Sequence, residues 1–157
     1  MKVMNKIFEY IVLSWIGGST YVALEVLFRG RSHWTMFILG AICFILIGLI
    51  NEILPWKTPI ELQALLGAGC ITICEFITGC IVNLYLDWNI WDYSNMPFNI
   101  LGQICLPFTI LWFFISILAI VLDDWIRYIM FDEEKPHYIS IFRKRWYYAS
   151  INKTWHD

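Results

Sequence analysis

A chain of 157 residues that is 59% apolar, 18% aromatic and only 15% charged lies far from soluble domains, which carry roughly 45–50% apolar and about 25% charged residues. Its net charge of −2 gives no reason to expect nucleic acid or another polyanion as a partner. The length suits one domain, and no stretch has the soluble composition of a nucleotide-binding or catalytic module, so an ATPase working with this chain would be a separate polypeptide.

The expected fold is all-α, a polytopic transmembrane bundle of about four helices over residues 1–130 with a polar and aromatic tail over 131–157. Crossing roughly 30 Å of hydrocarbon at about 1.5 Å per residue takes around 20 apolar residues. The first such run is Ile7 to Phe28. Arg29, Gly30 and Arg31 follow it instead of a small-residue cleavage site, which favours a retained helix over a signal peptide. The second runs from Thr35 to Ile53 and stops before Pro55, which continues a helix poorly. The third begins at Pro59, a favourable first-turn residue, and reaches about Leu86. The fourth covers about 104–129, with Pro107 tolerated in its first turns.

Asp87 to Asn99 interrupts the helical pattern with turn-forming Asn, Asp, Ser and Pro. Its Trp88, Trp91, Tyr93 and Phe98 suit the headgroup level. Beyond Met130, Asp132-Glu133-Glu134-Lys135-Pro136 leads into Arg143-Lys144-Arg145 among Trp146, Tyr147 and Tyr148. Such a mixture fits a segment lying on an anionic membrane surface, and it equally fits a tail whose aromatics fold back on the bundle.

Short-loop cations set the orientation. With four spans, one side holds Lys2, Lys6, Lys57, Arg127, Lys135, Arg143, Lys144, Arg145 and Lys153, and the other only Arg29 and Arg31, nine against two. The expectation is a multi-pass cell-membrane protein with both termini in the cytoplasm.

Five cysteines within or beside apolar runs, an odd number, argue against a disulfide framework. Cys70 and Cys74 share a helix face, but no histidine lies near enough to complete a metal site. Neither metal nor cofactor is expected.

Chemistry is therefore sought among polar groups at membrane depth, where an ionised side chain costs at least about 2.5 kcal/mol. Glu25 has Tyr21 and Arg29 at four-residue spacing, so a Glu25–Arg29 pair fits within one helix. Glu75 lies deep in the third span on a face traced by Gly67, Ile71, Gly79 and Asn83, where small residues allow close helix approach. At the Arg29 end, Arg29, Arg31, His33, Asp87, Asp92, Asn99 and Gln103 are expected to converge with Glu25 and Asn83. Glu75 and all of these except Asp87 form the predicted binding set, suited to an anionic lipid headgroup or a small polar solute. The alternative is that Glu25–Arg29 and Arg31–Asp92 pairs only lock the bundle together.

Glu25, the run Phe28-Arg29-Gly30-Arg31-Ser32-His33-Trp34-Thr35, Asn51-Glu52, Glu75-Phe76-Ile77-Thr78-Gly79 with Asn83, Trp91-Asp92-Tyr93-Ser94 and Pro97-Phe98-Asn99-Ile100-Leu101-Gly102-Gln103 together carry a family likeness. Over about residues 7–128 the chain resembles the bacterial membrane proteins catalogued as type IV ABC-transporter components, CmpB-like, and is similar to the eukaryotic transmembrane protein 229 group. That resemblance implies a transport component working with a separate ATPase or as a homo-oligomer. Two further readings stay open: a non-catalytic subunit that binds a protein or lipid partner, and an intramembrane enzyme acting on a lipid or lipoprotein. Residues 83–102 bear a faint likeness to lipoprotein signal peptidases, with Asp92 in the place of one catalytic aspartate. Gly102 stands where the second would be.

Overall fold

A computed structural model describes residues 2–55 and 57–141, apart from the side chains of residues 2–5 and Asn51. The Arg143-Lys144-Arg145 stretch and its aromatic neighbours lie outside the described residues. Helix α1 covers Lys2–Arg29, α2 Trp34–Ile53, α3 Ile60–Gly79 and α4 Leu106–Phe131, with a π-helical turn over Cys80–Tyr85 extending α3. The expected four-helix architecture is present. Three segments, Lys6–Arg29, Ile60–Tyr85 and Leu106–Phe131, are long and apolar enough to cross a bilayer, while the apolar part of α2 over Trp34–Ile50 is shorter.

Polarity is inverted relative to a soluble protein. Leu118 is 69% exposed while Asp123 is wholly buried, the arrangement expected when the solvent is hydrocarbon and polar groups must find partners inside. Because lipid tails are as apolar as leucine, helices in a membrane associate through close packing. Gly17 of α1 and Gly40 of α2 supply it. A Cβ on Gly17 would stand 2.3 Å from Phe44 Cβ, and one on Gly40 would stand 2.3 Å from Tyr21 Cβ. The same mechanism joins α3 to α4, where a Cβ on Gly67 would meet Ser116 Oγ at 2.8 Å. Helices α1 and α4 barely touch by comparison, which leaves a seam between them.

The ends of the elements have local causes. His33 caps α2 by accepting from the Thr35 amide, and Pro107 sits in the first turn of α4, where its missing N–H is no loss. Asp132 closes α4 in the left-handed conformation, its N–H donating to Arg127 O. The π-helical turn differs from the uninterrupted helix expected to Leu86. Its wider winding keeps Val82 and Asn83 buried, and such turns recur at functional positions.

Residues 86–105 form a compact cap on the bundle. Trp91, expected at the headgroup level, is buried and donates its indole N–H to Gln103 O at 2.9 Å. Trp88 and Phe98 are exposed, and Tyr93 stacks on Phe108 with ring centroids 4.7 Å apart. At the opposite end the chain after α4 returns across the bundle. Ile139 O accepts from the Ile60 amide at 2.9 Å, Ser140 Oγ and the Ile141 amide donate to Glu61, and Tyr138 donates to Asp124 at 2.8 Å.

Candidate functional site

The nine residues of the predicted binding set divide into three groups. Glu25, Arg29, Arg31 and His33 share one cavity of about 210 Å³ with Ser32, Trp88, Asn89 and Ile90. Arg29 closes on Glu25 through the four-residue helical spacing at 2.5 Å, and Ser32 Oγ donates to the other carboxylate oxygen at 2.7 Å. Both Glu25 oxygens are thereby occupied. Arg31 forms no ion pair among the described residues, so its guanidinium is a free positive charge on the wall of the cavity. His33 Nδ1 lies 2.9 Å from Thr35 Oγ1, and its ring sits against Trp34 and Trp88. That placement makes it a helix cap and part of an aromatic wall.

Glu75 forms the second group. It is buried at 2% exposure without a cation on its own helix, and two aromatic donors satisfy it. Trp112 Nε1 donates to Oε2 at 2.6 Å and Tyr21 Oη to Oε1 at 3.3 Å. Tyr21 and Trp112 also stack at 5.8 Å and line a second cavity that shares Glu25 and Arg29 with the first. Glu75 thus connects to the Arg29 end through its aromatic donors.

Asn83, Asp92, Asn99 and Gln103 belong to the cap. Asn83 Nδ2 donates to Gln103 Oε1 at 2.8 Å while Asn83 Oδ1 accepts from the Ile90 amide at 2.7 Å. Asn99 Nδ2 donates to Ser94 O and Met96 O, and its Oδ1 accepts from the Gly102 amide. Asp92 accepts from the hydroxyl and the amide of Ser94, which holds its carboxyl below the usual carboxylate range. None of the four lines the Arg31 cavity. The expected Arg31–Asp92 pair is absent among the described residues, because Asp92 closes a turn with Ser94 instead. Gly79 also departs from expectation. A Cβ there would meet Gln103 Oε1 at 2.5 Å and Trp91 at 3.0 Å, so the cap, and not a neighbouring helix, makes the close approach.

Sequence reasoning missed a second polar centre at the opposite end. Arg127, 2% exposed, donates from Nε to Asp123 Oδ2 at 2.7 Å and from Nη1 to Glu9 Oε1. Glu9 also pairs with Lys6 at 3.0 Å, and Lys6 reaches Glu133. Asp123 lies against the backbone of Gly48, where a Cβ would fall 2.5 Å from Oδ2. Beside this network a cavity of about 460 Å³ is lined by Glu52, Asp124, Arg127, Asp132, Glu133 and Glu134. Among the described residues, no three His, Cys, Asp or Glu side chains are placed to hold a metal ion, and all five cysteines are free thiols.

A family model described as "Putative ABC-transporter type IV" matches residues 7–146. The chain belongs to this family. The match spans α1 from Ile7 onward, the other three helices, the cap and the returning segment, so both polar centres lie within it apart from Lys6. The family's description and the apolar helices fit a membrane-embedded, ABC-transporter-type component. The chain matches no curated protein and no solved structure.

The signal for the missed centre lay in the four-residue spacing of Asp123 and Arg127. Arg127 reads as a flanking cation when the fourth span is ended near Ile129. Glu9 and Arg127 both fall inside the expected spans, but 118 residues separate them and only the packing of the helices brings Glu9 beside Arg127.

Proposed function

We propose that this chain is the membrane-embedded solute-binding component of a transport system, with its site at the Arg29 end of the bundle and its ATPase on a separate polypeptide. One observation carries the reading: Arg31, a guanidinium without an ion-pair partner among the described residues, lines a cavity whose other charges, Glu25 and Arg29, neutralise each other. Such a cavity keeps one net positive charge, with Ser32 and Asn89 beside it, and suits a ligand with a single anionic group. The distribution of cations favours the outer face for this end under the positive-inside rule.

The test is the thermal stability of the detergent-solubilised protein with added inorganic phosphate, glycerol phosphate and small carboxylates. A ligand that binds only the folded protein raises its stability with concentration. At least one of these anions is expected to do so in the wild type and not in Arg31→Ala. Absence of any Arg31-dependent shift would remove the reading. For the partner, an affinity-tagged chain isolated from its native membrane is expected to carry an ATPase polypeptide with it.

A hydrolase acting within the membrane by two carboxylates is the weaker alternative. Asp92 is exposed and bound to Ser94, and Gly102, whose Cβ would fall 2.7 Å from Asp92 Oδ1, offers no second acid.

A further inference from the structure

Three cavities adjoin along the seam between α1 and α4, each sharing wall residues with the next. The polar cavity around Arg31 shares Glu25 and Arg29 with the next, which is otherwise walled by apolar and aromatic side chains such as Leu24, Phe108 and Leu111. The second shares Tyr21, Leu24, Trp112 and Ile115 with a third, which continues past Gly17 and Ala119 to Leu122. A groove results that is charged at its mouth and apolar along its length. From Arg29 to Gly17 is twelve residues of α1, about 18 Å at 1.5 Å per residue, and half of a roughly 30 Å hydrocarbon core is about 15 Å. The groove is as long as one leaflet is deep.

The seam has a physical origin. Glycines draw α1 onto α2, while the stacked rings of Tyr21 and Trp112 stand between α1 and α4. A water-soluble anion would use only the mouth. The apolar length below it is matched by an acyl chain, which reaches the open seam sideways from the bilayer.

We propose that the seam seats one acyl chain of an anionic phospholipid from the leaflet on the Arg31 side, with the lipid phosphate at Arg31 and Arg29. This inference rests on the reading of the Arg31 cavity as the binding site and adds the class of the ligand and its route of entry. Burying the chain against Leu24 and Ile115 brings little net gain over leaving it among other lipid tails. Selectivity among lipids therefore comes from the headgroup at Arg31, and the seam decides which molecules can present that headgroup in place.

The experiment uses the full chain in detergent, titrated with phosphatidylglycerol or phosphatidylcholine and measured by native mass spectrometry. Phosphatidylglycerol is expected to bind at least tenfold more tightly than phosphatidylcholine, and Arg31→Ala to abolish that preference. Leu24→Trp or Leu111→Trp, which fill the seam, are expected to reduce phosphatidylglycerol binding about tenfold. Glycerol phosphate, presenting the headgroup alone, should keep its effect on the melting temperature of either seam variant. On the unaltered protein, a phosphatidylglycerol with a photoreactive group on its chain is expected to crosslink to Leu24, Leu111 or Ile115. Crosslinks confined to outward-facing positions such as Ile73 and Ile110 would overturn the inference, as would full lipid binding by a folded seam variant. Arg31-dependent binding of glycerol phosphate alongside either result would leave the polar-site reading standing. Loss of Arg31 dependence for lipid and glycerol phosphate alike would remove both.

Discussion

The indole of Trp112 on α4 donates to the carboxylate of Glu75 on α3 at 2.6 Å, a buried contact between two helices long and apolar enough to cross the hydrocarbon. This bond fixes a costly polar group without a cation. Replacing the donor leaves the acceptor stranded, and a buried acceptor without its partner costs about 1–3 kcal/mol. Trp112→Phe is therefore expected to destabilise the detergent-solubilised bundle by that amount, on top of any loss of packing. Glu75→Gln keeps the size and an acceptor oxygen, and should cost less or stabilise. A double-mutant cycle on the two residues measures their coupling, and additive effects would show that the bond contributes nothing.

The same pair separates structure from function. If Glu75 serves only packing, Glu75→Gln leaves anion binding and growth complementation unchanged. If it polarises a bound solute or carries a proton, the variant loses activity while remaining folded. Destabilisation without a separate functional defect would assign Glu75 to the scaffold.

At the other end, Arg127 joins Asp123 of its own helix to Glu9 of α1. Arg127→Met leaves two buried carboxylates without their shared cation, and breaking a buried ion pair from one side costs about 3–5 kcal/mol. The triple variant Glu9→Gln, Asp123→Asn, Arg127→Met is expected to recover much of that loss in a thermal unfolding assay, because no unpaired charge remains. Arg127→Met as stable as wild type would show the network to be energetically idle.

Glycine positions give a packing test with an internal control. Gly67→Val drives side-chain atoms into Ser116, whereas a Cβ on Gly69 meets nothing within 4 Å. The first is expected to cost about 1–3 kcal/mol through overpacking, and Gly69→Ala to be neutral or to stabilise by up to about 1 kcal/mol through helix propensity. Gly79→Leu should loosen the cap more than the helix packing, since Gln103 and Trp91 are its neighbours. Faster hydrogen exchange in residues 86–105 of that variant would report it.

The returning segment should respond to alkali. Burial and donation to Asp124 push the Tyr138 phenol above its ordinary value of 10.0. A raised folded-state value means that the contribution of Tyr138 is fully present below pH about 10 and is lost as pH rises through the folded-state value. Proteolysis or hydrogen exchange across residues 132–141 is expected to increase above pH about 10, and Tyr138→Phe should weaken docking at neutral pH and remove that dependence.

Composition and the spacing of apolar runs were enough to specify four helices, their order and the break between the third and fourth, because hydrocarbon permits so few backbone arrangements. Glu25–Arg29 was equally legible, since a four-residue spacing on a helix is a contact in itself. Tertiary structure decided which polar groups at depth meet. Trp112 and Tyr21 find Glu75 across 37 and 54 residues, and Arg127 finds Glu9 across 118, distances over which no local periodicity reports a partner. It also decided that Asn83, Asp92, Asn99 and Gln103 build a cap and that α1 stands off from α4 to leave a groove. A side chain's spacing gives the face of its helix, but the face opposite depends on how glycines and aromatic rings set the separation of the helices.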